Sequence, residues 1–558
     1  MVPLNINDYL NSFWLAPPRK VLCWITDISN GYSRCKEKNW DFLFFMQNSG
    51  ILLTLGYKSE MPYLFFANFR IRKRHLKGGH MHFAEFLTEK EVKQIHEASL
   101  EILENVGILV HNENARAIYA KHSCQVDSKS LIVKVPRDVI EDHRKAFVPQ
   151  FTFMGRDPQF DRTLPEDGPV IVTASTAPNV IDPQSGEERR GTSTDIANIA
   201  FLINALPGYD VFSISTLADD APEGQFSLWR FYPALKNCLK PVRSNTPNMQ
   251  ELLKVLELGM LIAGSEGAYM ERPLINHHCC PVVSPLTMDA QITEQMLYLI
   301  EKKLPVYCTI APNGGMTSPM SLLGTLALAN AEFLALGVLM QMVRPETPLI
   351  YAVLSTIADM RAGSYAPGGI ETGILQMAHC QMARFYNVPS GGYIGLTNAH
   401  LNDAQSGYET GMGTTGALLG GADMFNMGGL LGSLMSFDFA KAVIDSEISL
   451  MLKRMHRGIE FSKENLCLDV IARVGPGGTY MEEADTFDRM RTTAVLPKIA
   501  IREMRSDWHE KGSPDTHTRA LNVAREILTG DNPAVFSEDI DSKIRSRFEG
   551  LVDGNARW

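Results

Sequence analysis

The sequence predicts an α/β fold: a (β/α)8 TIM-type barrel with N-terminal and C-terminal helical additions. Three observations predict it. Eight short apolar runs follow one another from residue 170 onward. Helical runs of a dozen or more residues lie between most of them. A length of 558 residues suits a single barrel with additions. Strands that alternate with helices pair in parallel through right-handed crossovers, and eight such units close a barrel. An open doubly wound sheet is the alternative. The last run is the weakest, which puts the strand count within one of eight.

The elements follow in order. Residues 1–80 read as a separate segment, with 14 of the chain's 48 aromatics and eleven Lys/Arg against five Asp/Glu. They show neither sustained helical nor sustained strand periodicity, and no signal-peptide pattern. Lys77-Gly78-Gly79-His80 stands directly before Met81, and suitable codons for it would spell a bacterial ribosome-binding site. Translation is therefore expected to start at Met81, with residues 1–80 a non-native or disordered extension. The alternative is a basic, aromatic membrane-surface segment. Residues 81–168 are expected to form an N-terminal helical subdomain. In it Thr88 and Glu91 have capping-box spacing, Val92 to Val106 recur at helical spacing, and Gly107 ends the helix.

The barrel is expected over residues 169–459. Its strands are predicted at Val170–Ala174, Val211–Ser215, Pro241–Asn245, Leu274–Cys280, Val306–Ile310, Leu349–Val353, Gly391–Thr397 and Met424–Met427. Its helices include Thr194–Leu206, Met249–Ile262, Met288–Lys303, Ser321–Val343 and Ile370–Tyr386. Residues 460–558 are polar and helical in pattern, a C-terminal helical region.

Composition excludes several function classes. With 45% hydrophobic and 21% charged residues the chain is globular rather than disordered. A net charge of −10 argues against nucleic acid as a partner. No run of 18 apolar residues stands out, so no spanning helix and no membrane partner is expected. The nine cysteines contain no CxxC pair, which predicts a reducing compartment, the cytoplasm.

Motifs narrow the chemistry mainly by elimination. Gly411-Met412-Gly413-Thr414-Thr415-Gly416 matches GxGxxG, but it sits in a small-residue run rather than directly after a strand. Close helix packing explains it better than a dinucleotide. There is no P-loop, no HExxH and no GxSxG. His277-His278-Cys279-Cys280 lies on a predicted strand, so at most two of the four face one side. Core packing explains them better than zinc, and no metal site is expected.

Several longer strings carry a resemblance. NGGMTSPMSLLGTLALANAE at 313–332, YAPGGIETGIL at 365–375 and DAQSGYE at 403–409 occur in order. GRD at 155–157, CPVVSPL at 280–286, VIDSEI at 443–448 and SDWHEKGS at 506–513 complete the set. From about Phe86 to near the C-terminus the chain resembles the trimethylamine methyltransferase family. The resemblance implies a (β/α)8 barrel that moves a methyl group from an amine to the Co(I) of a corrinoid. That corrinoid (a cobalamin) is carried by a separate cognate corrinoid protein docked over the barrel mouth, and no cofactor is tightly bound. A homo-oligomer is also expected.

One departure bears on the substrate. Archaeal trimethylamine enzymes carry pyrrolysine a few residues before the DxQ[AS]G string, and ungapped alignment from Asp403 places Leu396 there. Thr397-Asn398-Ala399-His400 stand where the archaeal pattern is Ser-Asp-Ala-Lys-like. The chain thus resembles the non-pyrrolysine branch, some of whose members demethylate quaternary amines such as betaines. The expected reaction is methyl transfer from a quaternary (or tertiary) methylamine such as a betaine. The alternatives are a barrel enzyme with changed chemistry and a non-catalytic betaine-binding protein.

Candidate residues follow from that expectation. Leu396, Asn398, His400 and Glu332 are the candidates for the reacting centre, with structural pairing as the other reading of Glu332. A trimethylammonium head is held by aromatic faces, for which Tyr307, Tyr351, Tyr365, Tyr393 and Phe425 lie near predicted strand ends. Asn313 follows a strand end. Arg243 is a charge in an otherwise apolar run and could grip a carboxylate through two N–H donors, or make a structural ion pair.

Overall fold

Eight short parallel strands carry the architecture: β1 Val170–Val172, β2 Phe212–Ser213, β3 Val242–Ser244, β4 Ile275–Cys279, β5 Val306–Cys308, β6 Tyr351–Ala352, β7 Ser390–Tyr393 and β8 Met424–Asn426. A helix follows each: α1 Ser193–Ala205, α2 Phe226–Lys236, α3 Met249–Ala263, α4 Ala290–Glu301, α5 Leu322–Val343, α6 Ile370–Tyr386, α7 Ala404–Gly420 and α8 Phe439–Arg457. All eight predicted apolar runs contain a strand.

The computed structural model describes residues 83–558 in full. Before them it describes only the backbone of 32–37, 40–47, 50–57, 72–76 and 79–82. Most of the 1–80 segment lies outside the described residues, and the expected start at Met81 falls where only the backbone is described. The chain divides into two units, Met1–Asn68 and Phe69–Trp558. In the first, Tyr32–Glu37, Trp40–Gln47 and Gly50–Tyr57 pair as an antiparallel meander. The first strand is largely polar and the other two are apolar consecutively rather than alternately, so no period of two announces them.

In the second unit the fold is a mixed α/β arrangement built on parallel strands. One four-stranded parallel sheet has the order β1-β8-β7-β6 and the other β2-β3-β4-β5. Single parallel bridges join their outer strands, Val172 to Val211 and Ile310 to Val353. At the N-terminal ends of the strands lies an antiparallel hairpin, Phe151–Phe153 with Arg162–Leu164. Its Phe151, Phe153 and Leu164 form a buried cluster with Val172, Val211, Tyr307, Ala352 and Met424. The second, larger apolar core lies between the strands and the helices.

The elements form for local reasons. Thr192 and Asp195 make a reciprocal capping box at the start of α1. Asp289, Asp403 and Asp438 cap α4, α7 and α8 with their carboxylates. The GxGxxG string lies inside α7, where a Cβ on Gly373 of α6 would stand 3.6 Å from the Gly413 Cα. Gly413 and Gly416 thus face α6, while a Cβ at Gly411 would meet nothing within 4 Å. Contrary to the expectation that no helix could span a membrane, α5 is long and apolar enough to do so. However, 78% of its apolar window is buried, as in the core helix of a globular body.

The region before β1 is not purely helical. It contributes Ile108–Val110, Gln125–Val126 and Ile132–Lys134 to a five-stranded sheet with Val282–Val283 and Thr287–Met288 from the segment after β4. The capping box at Thr88 and Glu91 opens the expected helix, Glu89–Glu101. After α8 come short helices, among which Thr516–Leu528 packs against α8 and Glu538–Arg547 against α3.

Candidate functional site

Strand parity decides which side chains meet. Successive residues of a strand point to opposite faces. On β3, Ser244 turns to the helix layer, where its Oγ accepts from Arg230 Nη2 of α2 at 2.7 Å. Arg243 therefore points to the face opposite the helices. It has no exposed surface, and its Nε, Nη1 and Nη2 have no hydrogen-bond partner among the described residues. Its guanidinium lies 4.7 Å from the centre of the Tyr307 ring, a cation–π distance.

The same face of β4 presents Asn276, His278 and then Cys280. Asn276 binds the Met154 backbone on both sides and so ties the hairpin loop to the strands. The His278 ring stacks on Tyr307 at 5.1 Å, its partner in register. His278 Nε2 lies 2.8 Å from Thr309 Oγ1 and 3.5 Å from Cys280 Sγ, and Cys280 Sγ lies 3.0 Å from the same hydroxyl. Burial, and then the charge of Arg243, push His278 well below the usual imidazole range, so it is neutral. Burial raises the Cys280 thiol, opposed by Thr309 and Arg243. Cys280, just past the end of β4, is nonetheless the exposed one among the described cysteines.

Two further strands complete the face. Asn426 on β8 donates to Tyr307 OH at 3.1 Å, and its Oδ1 has no partner among the described residues. Tyr393 at the end of β7 meets Ser175 Oγ at 2.8 Å through its hydroxyl. Burial holds Tyr307 and Tyr365 above the usual phenol range, so both stay neutral.

Beyond β7 the chain makes a tight loop. Gly395 has φ +81°, and a Cβ there would stand 2.4 Å from Thr414 Cγ2 of α7, so only glycine lets the strand end this close to the helix. Leu396 follows, 4% exposed, and presents an aliphatic side chain with no proton or electrophile. Glu409 of α7 fixes what comes next: its Oε2 accepts from Thr397 Oγ1 at 2.6 Å and from the Asn398 N–H at 2.8 Å. Asn398 in turn accepts from the Gly368 N–H and donates to the Tyr365 carbonyl and Ser433 Oγ. It ties three loops together, and both ends of its amide are occupied.

The structure thus brings Arg243 and Tyr307 together, and places Tyr365, Tyr393, Leu396 and Asn398 around the strand ends. Other candidates lie elsewhere. Tyr351 points into the helix layer, where its hydroxyl donates to Asn330 of α5 and its ring packs 4.3 Å from Phe333. Phe425 points the same way, since its neighbour Asn426 faces Tyr307. Neither is on the face that holds Arg243. Glu332 is buried between α5 and the segment after β4, accepting from Ser284 Oγ and the Leu286 N–H, the structural pairing that is its other reading. Asn313 accepts from Thr356 Oγ1 at 3.1 Å and shapes its own loop. His400 is exposed on the rim, with its Nδ1 3.2 Å from where a Gly432 Cβ would stand.

Sequence reasoning named His278 and Cys280 but read them as core packing, and it missed Thr309, Asn426 and Glu409. Parity could have placed three of these five. His278 and Cys280 share a face of β4, and Asn426 is a polar residue inside an apolar strand, as Arg243 is. Among the described residues no group of three His, Cys, Asp or Glu side chains is placed to hold a metal.

Comparison with known proteins bears on this arrangement. A family model described as trimethylamine methyltransferase (MTTB) matches residues 70–549. The chain is 30% identical over 467 residues to a glycine betaine methyltransferase of Desulfitobacterium hafniense (strain Y51), covering 82% of this chain and 95% of that one. It is 29% identical over 466 residues to the trimethylamine methyltransferase MttB of D. hafniense (strain DSM 10664 / DCB-2), covering 84% and 94%. The MttB of Methanosarcina barkeri (strain Fusaro / DSM 804) is 29% identical over 476 residues, covering 84% and 94%.

Proposed function

Because the chain belongs to the trimethylamine methyltransferase family, we propose that it moves a methyl group from a quaternary (or tertiary) methylamine to the Co(I) of a corrinoid. The corrinoid enters as a second substrate on a cognate protein, with no cofactor tightly bound to this chain. The observation that carries the quaternary preference is Leu396, an aliphatic residue where the pyrrolysine-bearing relatives place an electrophile.

The chemistry fits such a residue. The methyl C–N bond breaks with its electron pair left on nitrogen, and a cobalt–carbon bond forms with the two electrons of Co(I). A quaternary nitrogen then departs as a neutral amine, so no general acid is required. What remains for the protein is to hold the substrate in line and exclude water. Tyr365 and Tyr393 offer π-faces to an ammonium head. We read the two parallel sheets as the halves of a closed (β/α)8 barrel, a reading supported by the bridges Val172–Val211 and Ile310–Val353 that join their outer strands. Methyl transfer would then occur at the C-terminal strand ends. Exposed Met316, Met320, Leu323 and Met360 stand near those ends, an adaptable apolar rim suited to a docking protein.

The test is methylation of free Co(I) cobalamin by the full-length chain, followed by visible spectrum. Trimethylamine, choline, carnitine, glycine betaine and proline betaine are each assayed with and without enzyme. Enzyme-dependent methylcobalamin from a quaternary amine is the expected result. Conversion of trimethylamine alone would overturn the quaternary preference. No conversion of any amine, with free cobalamin or with a cognate corrinoid protein, would overturn the reaction.

A further inference from the structure

The least satisfied polar group of the described molecule is Arg243. Three guanidinium nitrogens are buried without an acceptor, and no carboxylate of the described residues forms an ion pair with it. The contrast with Arg230 is direct. Arg230 is as deeply buried, yet its terminal nitrogens reach Ser244 Oγ and the Asn245 carbonyl. A buried charge is normally paired, because taking it out of water unpaired is costly.

Its neighbours do not balance the charge. His278, Cys280 and Tyr307 all remain neutral beside it. Other unpaired polar atoms lie on the same face. Ser213 is the register partner of Arg243 on β2, and its Oγ is buried without a partner. Asn426 Oδ1, across Tyr307, is likewise without one, but as an acceptor it calls for a donor rather than an anion. The donors among these orphans, Arg243 and Ser213, describe a subsite for a small anion, with exposed Cys280 on the same face. The Tyr307 ring centre lies 4.7 Å from the guanidinium carbon, and a guanidinium has two parallel N–H groups that match the two oxygens of a planar carboxylate.

We infer that Arg243, assisted by the Ser213 hydroxyl, anchors a carboxylate carried by the methyl donor. The subsite makes the enzyme select quaternary amines with an acidic tail over those with a neutral one. The identity of the ligand's other end rests on the methyl-transfer reading above; the anion subsite itself does not.

Isothermal titration of the full-length chain with glycine betaine, choline and acetate tests it. Glycine betaine is expected to bind roughly tenfold or more tightly than choline, and acetate to compete with it, because a desolvated bidentate pair has no counterpart in choline. In Arg243→Gln that preference disappears, while Arg243→Lys keeps part of it. A second readout guards against a merely structural arginine. Arg243→Met removes an uncompensated buried charge and should raise the melting temperature of the ligand-free protein, whereas loss of a structural arginine would lower it. Equal binding of glycine betaine and choline, a preference that survives in Arg243→Gln, or a lowered melting temperature of Arg243→Met would each overturn the inference. Methyl transfer without carboxylate preference would refute the subsite and leave the reaction standing. Carboxylate-selective binding without methyl transfer would do the reverse.

Discussion

Glu332 and Ser284 meet at 2.7 Å, carboxylate to hydroxyl, inside the protein, and no cation of the described residues pairs with the carboxylate. Among the described residues its other hydrogen-bond donor is the Leu286 N–H. Two neutral donors do not offset the loss of water, and burial pushes Glu332 up to about 7.

A pH dependence of stability follows from that pairing. A carboxyl whose folded pKa is raised binds its proton more tightly in the folded state than in the unfolded one. Its contribution is therefore fullest at low pH and is lost as pH rises from the ordinary carboxylate range to about 7. The loss is on the order of 3 kcal/mol across that window, at about 1.4 kcal/mol per unit. Glu332→Gln mimics the protonated form and should flatten this part of the profile. Urea unfolding of both proteins at several pH values between 5 and 8 checks it; parallel profiles would refute it.

Glu409 is a positioning residue for the loop after β7. It holds Thr397 and the Asn398 backbone, directly beyond Leu396. Glu409→Ala leaves those donors unpaired and should cost about 2 kcal/mol of stability. The turnover number should fall more than the affinity for the amine, since Leu396 and Asn398 lose their register. Rescue by Glu409→Gln, which keeps one acceptor oxygen, should be partial. A Glu409→Ala enzyme with unchanged turnover would refute the role.

Much of the fold was legible in the sequence, and the reason is physical. Each strand is a short apolar run bounded by polar residues, and its period does not depend on distant partners. The hairpin Phe151–Leu164 and the five-stranded sheet were not legible, since strands such as Ile108–Val110 find their partners far along the chain. Helix α8 was hidden because Lys441 and Asp445 are buried in it, which breaks the apolar stripe. In the site, Arg243 stood out as a charge among apolar neighbours. Tyr351 and Phe425 were misplaced because composition does not reveal parity: one inward residue, such as Asn426, is needed to assign the rest. Glu332 looked chemical for the same reason that Arg243 did, and only its partners separate the two.

The family strings also divide by role. In VIDSEI, Asp445 accepts from the Gly429 N–H and pairs with Lys441 at 2.6 Å, while Glu447 accepts three backbone N–H groups at 498–500. That string fastens the loop after β8 and the C-terminal chain to α8. Lys441→Met strands the Asp445 carboxylate in the interior and should cost about 3–5 kcal/mol. Adding Asp445→Asn should restore part of this, with a coupling of about 1 kcal/mol or more between the two sites. A double-mutant cycle by urea unfolding measures it, and strict additivity would refute the pairing.

Cys280 gives a chemical probe of Arg243. Its thiol is raised by burial and lowered by the nearby guanidinium, and solvent reaches it. The thiolate is the reactive form, so alkylation by iodoacetamide should be slow at neutral pH and quicken as pH rises through and beyond the ordinary thiol range. Arg243→Gln removes the favourable charge and should raise that midpoint further, slowing alkylation at a fixed pH. A carboxylate bound at Arg243 should slow it in the same direction by neutralising the charge, and choline should not. Peptide mass spectrometry after timed alkylation reads Cys280 alone, with Cys467, half-buried in the C-terminal region, as the internal reference. Equal alkylation of wild type and Arg243→Gln across pH would mean that the guanidinium and the thiol do not share an environment, and would separate Cys280 from the Arg243 site.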